Sequence, residues 1–353
     1  MVDISAAVDD NFVARAGIEK GARRIISMEE RAKLLEALDG SAYQVSAGGS
    51  LANTLVAASH LCRADHCNRG GGPPSVGMLS VSGDDLQGSF HCAQMQHAGM
   101  QLLSEPLPGT STGTVIVLTT PDANRTFLSY LGSSQTLTLS AAAKAAISRT
   151  RVLIVEGYLW EMPGAKEAIG SAVRLARESG ALVALTTGDP GLVARHRSEF
   201  WRLLKNGDVD VLFANRAEAG ALLEHPVSAA EAASELGSLC SLAAITDGAN
   251  GSCISALGRL QVVPPYWTTD APVDTCGAGD AYCAGLLYAY LSGMDLASMG
   301  RCSARTASAV ISRSGACLTT QEAERVVASM PPADGYRAHF AGLALQPTAA
   351  TTL

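Results

Sequence analysis

The chain has 353 residues, 47% of them hydrophobic and 17% charged, with a formal net charge of −7. That length accommodates one large domain or two small ones with a sizeable core. The acidic balance, with no cluster of Lys and Arg, argues against a nucleic-acid backbone as partner, and no run reaches the roughly 18 apolar residues that a membrane helix needs, so neither nucleic acid nor membrane is expected.

Met1 to Asp10 read as the end of a strand, which creates the expectation of an upstream segment that is missing. Phe12 to Leu38 carry helical spacing up to Gly40, with a solvated helix start at Met28-Glu29-Glu30-Arg31. Tyr43 to Asn53 read as a strand, a turn at Gly48-Gly49 and the entrance of a helix that closes around His60-Leu61. Cys62 to Ser75, which include Gly70-Gly71-Gly72-Pro73-Pro74, have the composition of a surface loop. Val76 to Val81 form a buried strand, and Gly83-Asp84-Asp85 open a helix whose two acids suit a helix start better than a metal pair.

Gly113 to Gly132 read as a β-hairpin turned at Pro121-Asp122. Val152–Gly157 and Leu182–Thr186 are buried parallel strands joined by a helix over Ala165 to Ser179, a βαβ unit. Another strand runs from Asp208 to Asn215, and Asn215 and Glu218 stand at capping-box spacing. Ala243 to Ser252 give a strand and a glycine turn, Leu260 to Val263 a short strand stopped by Pro264-Pro265, and Leu296 to Arg313 a helix rich in Ala and Ser. The tail from Pro331 to Leu353 has weak periodicity and is expected to be partly disordered. Alternating strands and helices indicate α/β architecture with a mostly parallel sheet.

The chemistry concentrates in Val273-Asp274-Thr275-Cys276-Gly277-Ala278-Gly279-Asp280 and the helix that follows. Two glycines at a helix entrance leave the first N–H groups and the positive dipole end accessible to an anion. Asp280 has two readings: a dipole acid of the first turn, or a carboxylate that takes the proton from a hydroxyl nucleophile beside a phosphoryl cradle. The second describes a small-molecule kinase. A Rossmann fingerprint fails because Tyr282 holds the third glycine position, and Walker A is absent. Gly48-Gly49-Ser50-Leu51-Ala52 approach a serine-hydrolase elbow without its last glycine. The nine cysteines lack any C-x-x-C pair and read as thiols of a reducing, intracellular compartment; the sequons at Asn124 and Asn250 follow nothing like a signal peptide.

Asp274-Thr275-Cys276-Gly277-Ala278-Gly279-Asp280 resembles the D-T-x-G-A-G-D signature of the PfkB/ribokinase family, and matching stretches follow in order from about Asp3 to Ala316. The resemblance implies a ribokinase-like fold: a three-layer αβα core as one domain over residues 1–330, with a small β lid of strands from about 4–10, 41–47 and 113–131 that closes over the substrate. It implies ATP and Mg²⁺ as cofactors and transfer to a primary hydroxyl, with Asp280 as base and Gly277, Ala278 and Gly279 as the phosphate cradle. Arg125 is implied at the transferred phosphate, and Asp3, Gly49 and Asn53 at the acceptor's sugar hydroxyls, although the Gly and Asn that usually precede that Asp have no counterpart.

By the same resemblance Thr246, Gly248 and Gly251 bind the nucleotide. Asn215 and Glu218 orient Mg²⁺ through water, with Arg216 standing where the family usually has an acid, and Asp274 with Gly315-Ala316 encloses a monovalent cation such as K⁺. Tyr130-Leu131-Gly132, Glu156-Gly157-Tyr158-Leu159 and Phe213-Ala214-Asn215 are similar to adenosine-kinase-like members, including plant and algal plastid ones, which points to a nucleoside acceptor first and a free sugar second. Plastid or cytoplasm is the expected compartment, and monomer or homodimer the expected state. The contrasting expectation is a PfkB-like binding or assembly subunit without turnover.

Overall fold

The computed structural model describes residues 1–69, 75–122, 124–267 and 272–330, and of 66–69 the backbone only. The tail expected to be disordered and the Gly70–Pro74 stretch lie outside the described residues. The chain divides into two compact units, one of Met1–Ala52, Ser75–Ala143 and Met162–Ala165, the other of Asn53–Pro74, Lys144–Glu161 and Lys166–Leu353.

The elements of the first part of the chain are β1 (Val2–Ala7), α1 (Asp10–Arg15), β2 (Arg23–Ile25), α2 (Met28–Ala37), β3 (Tyr43–Ala47), α3 (Ser50–Arg69), β4 (Val76–Met78), α4 (Leu86–His97), β5 (Met100–Leu102), β6 (Thr114–Thr119) and β7 (Arg125–Tyr130). Five strands of the first unit form a sheet in the order β2-β7-β6-β1-β3. β6 and β7 are the expected hairpin, and β1 lies parallel to β6. Alternation places Ile4, Ala6, Ile116, Leu118 and Leu128 on one face, where they bury against Val13 of α1 and Leu34 of α2. All three stretches expected as lid strands fall in this sheet.

Phe12 to Leu38 do not form one helix. Gly17 and Gly21, both with φ in the left-handed region, break the spacing, and Arg23–Ile25 add an edge strand beside β7 before Ser27 restarts a helix with a capping box to Glu30. α3 continues to Arg69 instead of closing at His60-Leu61. Its sequence holds no Gly or Pro until Gly70, and Leu61 and Ala64 keep the buried face going. The strand expected over Val76–Val81 stops at Met78.

The remaining elements are α5 (Ala141–Ile147), β8 (Val152–Glu156), α6 (Ala165–Glu178), β9 (Leu182–Thr186), α7 (Pro190–Lys205), β10 (Val211–Asn215), α8 (Arg216–Leu223), α9 (Ala229–Gly237), β11 (Leu242–Thr246), β12 (Ser252–Ala256), β13 (Arg259–Val263), α10 (Ala278–Leu291), α11 (Leu296–Ile311) and α12 (Thr320–Ala328). The second unit is built on the sheet β13-β12-β11-β10-β9-β8, parallel from β8 to β11 and antiparallel through β12 and β13.

One face of this sheet, carrying Val211, Phe213, Ala244 and Ile254, packs into a core with α3, α10, α11 and α12. On the opposite face Ser255 lies so close to Gly237 of α9 that a Cβ there would collide with it. This is the αβα layering expected. α10 is buried along Ala281–Ala289, and Gly285 lets α11 approach, since a Cβ would press on Thr306 and Ser303. No described helix is long and apolar enough to cross a membrane.

Candidate functional site

Ligands of parallel sheets bind outside the carboxyl ends of the strands. In the second unit those ends carry polar side chains: Glu156 pairs in register with Thr186, and Asn215 with Thr246 two residues further along, since Thr186 stands opposite Phe213. Beyond Asn215 the chain turns into α8. Glu218, only 7% exposed, accepts hydrogen bonds from the Asn215 backbone N–H (2.8 Å), Asn215 Nδ2 (2.6 Å) and Thr187 Oγ1 (2.6 Å). The capping box expected from spacing is therefore present and closed. Arg216 donates from Nε to Asp247 Oδ1 at 2.8 Å and so pairs with the first side chain of the next turn.

That turn follows β11. The backbone N–H of Asp247 donates to the Gly251 carbonyl (2.8 Å), and Gly248 and Gly251 both have positive φ. Gly251 is required twice over, because a Cβ would also collide with the Val263 carbonyl. Thr246, Gly248 and Gly251 thus belong to one tight turn at the sheet's carboxyl end.

The stretch before α10 is braced at two points. Asp274 accepts from the N–H of Cys276 (2.8 Å) on one oxygen and of Gly315 (3.2 Å) on the other, tying the two turns together. Gly277 caps α10 with φ of 76° and lies against Ala316, whose carbonyl a Cβ would strike. Ala278 opens the helix, and Gly279 is exposed with open space where a side chain would be. Asp280 follows at the third helical position, partly exposed. Its Oδ2 accepts from Asn53 Nδ2 at 3.0 Å, and Cys317 Sγ donates to Asn53 Oδ1 at 3.2 Å. Asn53 is 6% exposed.

Beneath this turn, burial pushes the Cys283 thiol well above its ordinary pKa, and the charges of Asp280 and Glu156 push it further. Two carboxylates therefore act on one neighbourhood. Glu156 was not singled out by spacing; the available signal was an acid at the carboxyl end of a buried parallel strand. Tyr282 on the same helix exchanges a 2.7 Å hydrogen bond with Ser252 Oγ, which fixes the azimuth of α10 and with it the direction of Asp280.

In the first unit Asp3 lies in β1 opposite Ser46, and its carboxylate rests on the Gly48 backbone, where a Cβ would overlap it. Gly48 makes this close approach to Asp3; Gly49 supplies the turn, with φ of 104°, and has open space where a side chain would be. Arg125 begins β7 opposite Thr119, whereas Asp3 stands opposite Val115. Four residues along a strand separate the two rungs by about 13 Å, so this sheet holds Asp3 beside the glycine turn and Arg125 at its other end. Asp84 and Asp85 are local braces as expected: Asp85 caps α4 through the Gly88 N–H, and Asp84 accepts from the Gly109 N–H. Among the described residues no group of three or more His, Cys, Asp or Glu could hold a metal ion.

Known proteins share this fold. A structure titled as an adenosine kinase from Sinorhizobium meliloti superimposes with a TM-score of 0.81 and 33% identity, covering 92% of this chain and 95% of that one. A nucleoside kinase of Methanothermobacter thermautotrophicus is 26% identical over 273 residues, 76% of this chain and 79% of its own length. A 1-phosphofructokinase of Rhodobacter capsulatus is 28% identical over 274 residues, 74% and 78% of the two lengths. The sequence model described as pfkB family carbohydrate kinase matches residues 22–323, and the chain belongs to that family of kinases.

Proposed function

We propose that this kinase transfers the γ-phosphoryl group of ATP to a primary hydroxyl of a nucleoside, with Asp280 as general base. The observation that carries the reading is Asp280 at the third position of a glycine-capped helix, partly exposed and held by the Asn53 amide. In the step the acceptor O–H bond breaks and its proton passes to the Asp280 carboxylate. The acceptor oxygen bonds to the γ-phosphorus while the bond from that phosphorus to the bridging oxygen breaks, and ADP leaves with the bridging oxygen. Asp280 then returns its proton to solvent. The helix entrance at Gly277–Gly279 offers amides and a positive dipole end to the charge on the transferred group.

Magnesium bound with ATP would supply charge neutralisation for the phosphate groups. The residues present fit a hydrated ion: three donors already surround the Glu218 carboxylate, which leaves Asn215 and Glu218 suited to orient waters rather than to ligate directly. Asp274 gives each oxygen to a backbone N–H, so a monovalent cation there would share those oxygens.

The nucleoside acceptor is supported by the 33% identity to a structure titled as an adenosine kinase, and in the first unit Asp3 beside Gly48-Gly49 is the candidate for sugar hydroxyls. The similarity to a 1-phosphofructokinase favours a sugar as the second reading. ADP release with a panel of nucleosides and sugars, measured for wild type and Asp280→Asn, tests both. The proposal expects fastest turnover with adenosine-like acceptors and its loss in the variant. Preference for a sugar would install the second reading, and unchanged turnover in Asp280→Asn would refute the base assignment.

A further inference from the structure

Resting on the assignment of Asp280 as base, we propose that Cys317 is a positioning residue: its thiol fixes the Asn53 amide so that the NH₂ group faces Asp280 through the whole proton-transfer cycle. The three groups form one chain, Cys317 Sγ to Asn53 Oδ1 at 3.2 Å and Asn53 Nδ2 to Asp280 Oδ2 at 3.0 Å.

While Asp280 is a carboxylate, it demands a donor, and the amide orientation is set from that side. Once Asp280 has taken a proton, the constraint disappears: a carboxylic acid can donate as well as accept, and an amide turned by half a revolution can offer its oxygen to the new O–H. That turned state stabilises the protonated acid and delays return of the carboxylate. Cys317 opposes it. Its S–H donates to Oδ1, and sulfur accepts more weakly than an amide oxygen does, so rotating the amide would exchange that bond for a poorer N–H···S contact.

The thiol is placed to do this by the same turn that braces the phosphate cradle. Cys317 follows Ala316, which lies against Gly277, and Gly315, whose N–H is held by Asp274. One residue further on, the Leu318 carbonyl meets His60 Nδ1 of α3 at 2.9 Å, which fixes the turn to the helix that carries Asn53. Asn53 is nearly sealed from solvent, so water does not readily replace a lost partner. Serine keeps a donor at this position, whereas alanine removes it.

Steady-state kinetics of Cys317→Ala, Cys317→Ser, Asn53→Ala and the Cys317→Ala/Asn53→Ala double variant test the inference. Cys317→Ala is expected to lower kcat about fivefold, the worth of one modest hydrogen bond, with the KM for ATP within about twofold of wild type. Cys317→Ser recovers most of the loss, and in the Asn53→Ala background Cys317→Ala has no further effect. Wild-type kcat in Cys317→Ala, or losses that multiply in the double variant, would overturn it.

Two controls keep the outcomes separate. Asp280→Asn with wild-type turnover sinks the base assignment and this inference together; a dead Asp280→Asn beside an unaltered Cys317→Ala sinks this inference alone. A readout without turnover is the side-chain ¹⁵N-amide signal of Asn53, assigned by its loss in Asn53→Ala. It is expected to show slow solvent exchange in wild type and Cys317→Ser and faster exchange in Cys317→Ala, and equal protection in all three would contradict the proposal.

Discussion

Several helix entrances in the second unit carry an acid at the third position, and α8 and α10 hold that acid in opposite ways. α8 begins after Asn215, and its third residue, Glu218, folds back to its own cap; α10 begins after Gly277, and its third residue is Asp280. In α8 the cap side chain accepts from the Glu218 N–H while the glutamate accepts from the cap's backbone N–H, so the acid is consumed locally. Glycine has no side chain with which to answer, and its left-handed φ turns the preceding chain away. Asp280 is thereby released toward Asn53. α2, α9 and α12 close the same box with Ser27, Ser228 and Thr319, which makes the glycine cap the feature that sets the acid proposed as base apart from these.

The largest effect is expected from Asp280→Asn. It keeps the size and loses the base, so kcat should fall about 10³-fold while the melting temperature stays within a few degrees of wild type. A variant that loses its fold along with its activity would place Asp280 with the structural acids and erase the contrast. Gly277→Ala attacks the cap itself. A Cβ in the left-handed region costs ~1–2 kcal/mol, and here it would also meet the Ala316 carbonyl. Loss of activity larger than the loss of stability, seen by comparing kcat with thermal melts, would show that the turn's shape matters to the chemistry.

How much of this was legible beforehand depends on how local the physics is. The strands β8 to β11, the hairpin and the opening of α10 follow from apolar runs and turn residues, and their positions agree with the reading within a few residues. The box between Asn215 and Glu218 was readable because both partners lie within one turn. Three features were not. β2 is a three-residue exposed edge strand with no burial pattern to announce it; its partner β7 is about a hundred residues away. The extension of α3 to Arg69 was hidden by a polar stretch running into Gly70-Gly71-Gly72-Pro73-Pro74, which gives the whole segment the composition of a loop although Arg63, Ala64 and Arg69 are good helix formers. The contact between Asn53 and Asp280 spans 227 residues, and no spacing rule reaches that far. Asn53 was expected at the acceptor's hydroxyls because the resemblance placed it there; that it touches the carboxylate is visible only in three dimensions.

Breaking the closed box should cost stability more than chemistry. Glu218→Gln leaves one acceptor oxygen among three donors and sets its NH₂ against one of them in either orientation. A loss of about 1–3 kcal/mol in unfolding free energy is expected. If Glu218 orients magnesium waters, activity at limiting Mg²⁺ should also fall about tenfold and return as Mg²⁺ is raised. Stability loss without any change in the Mg²⁺ dependence would make Glu218 a cap alone.

The smallest expected effect isolates a box acid with no part in the reaction. Glu322 of α12 is raised by burial, yet hydrogen bonds from Arg313 and from the Thr319 backbone and hydroxyl bring its pKa below the ordinary glutamate value. A carboxyl depressed in the folded state contributes stability above its unfolded pKa, and that contribution is lost as pH falls through the folded value. Glu322→Gln should therefore lower the melting temperature at pH 7, by the ~1 kcal/mol typical of a lost cap interaction, and the gap to wild type should close as pH is taken below about 4.3, where the unfolded-state glutamate takes up its proton. Turnover at pH 7 should be unchanged, because this acid faces its own cap and Arg313. Asp280→Asn must give the opposite pattern, an activity effect with little shift in melting, and a Glu322→Gln enzyme whose kcat falls as well would mean that a closed box and an open one do not divide the acids by role.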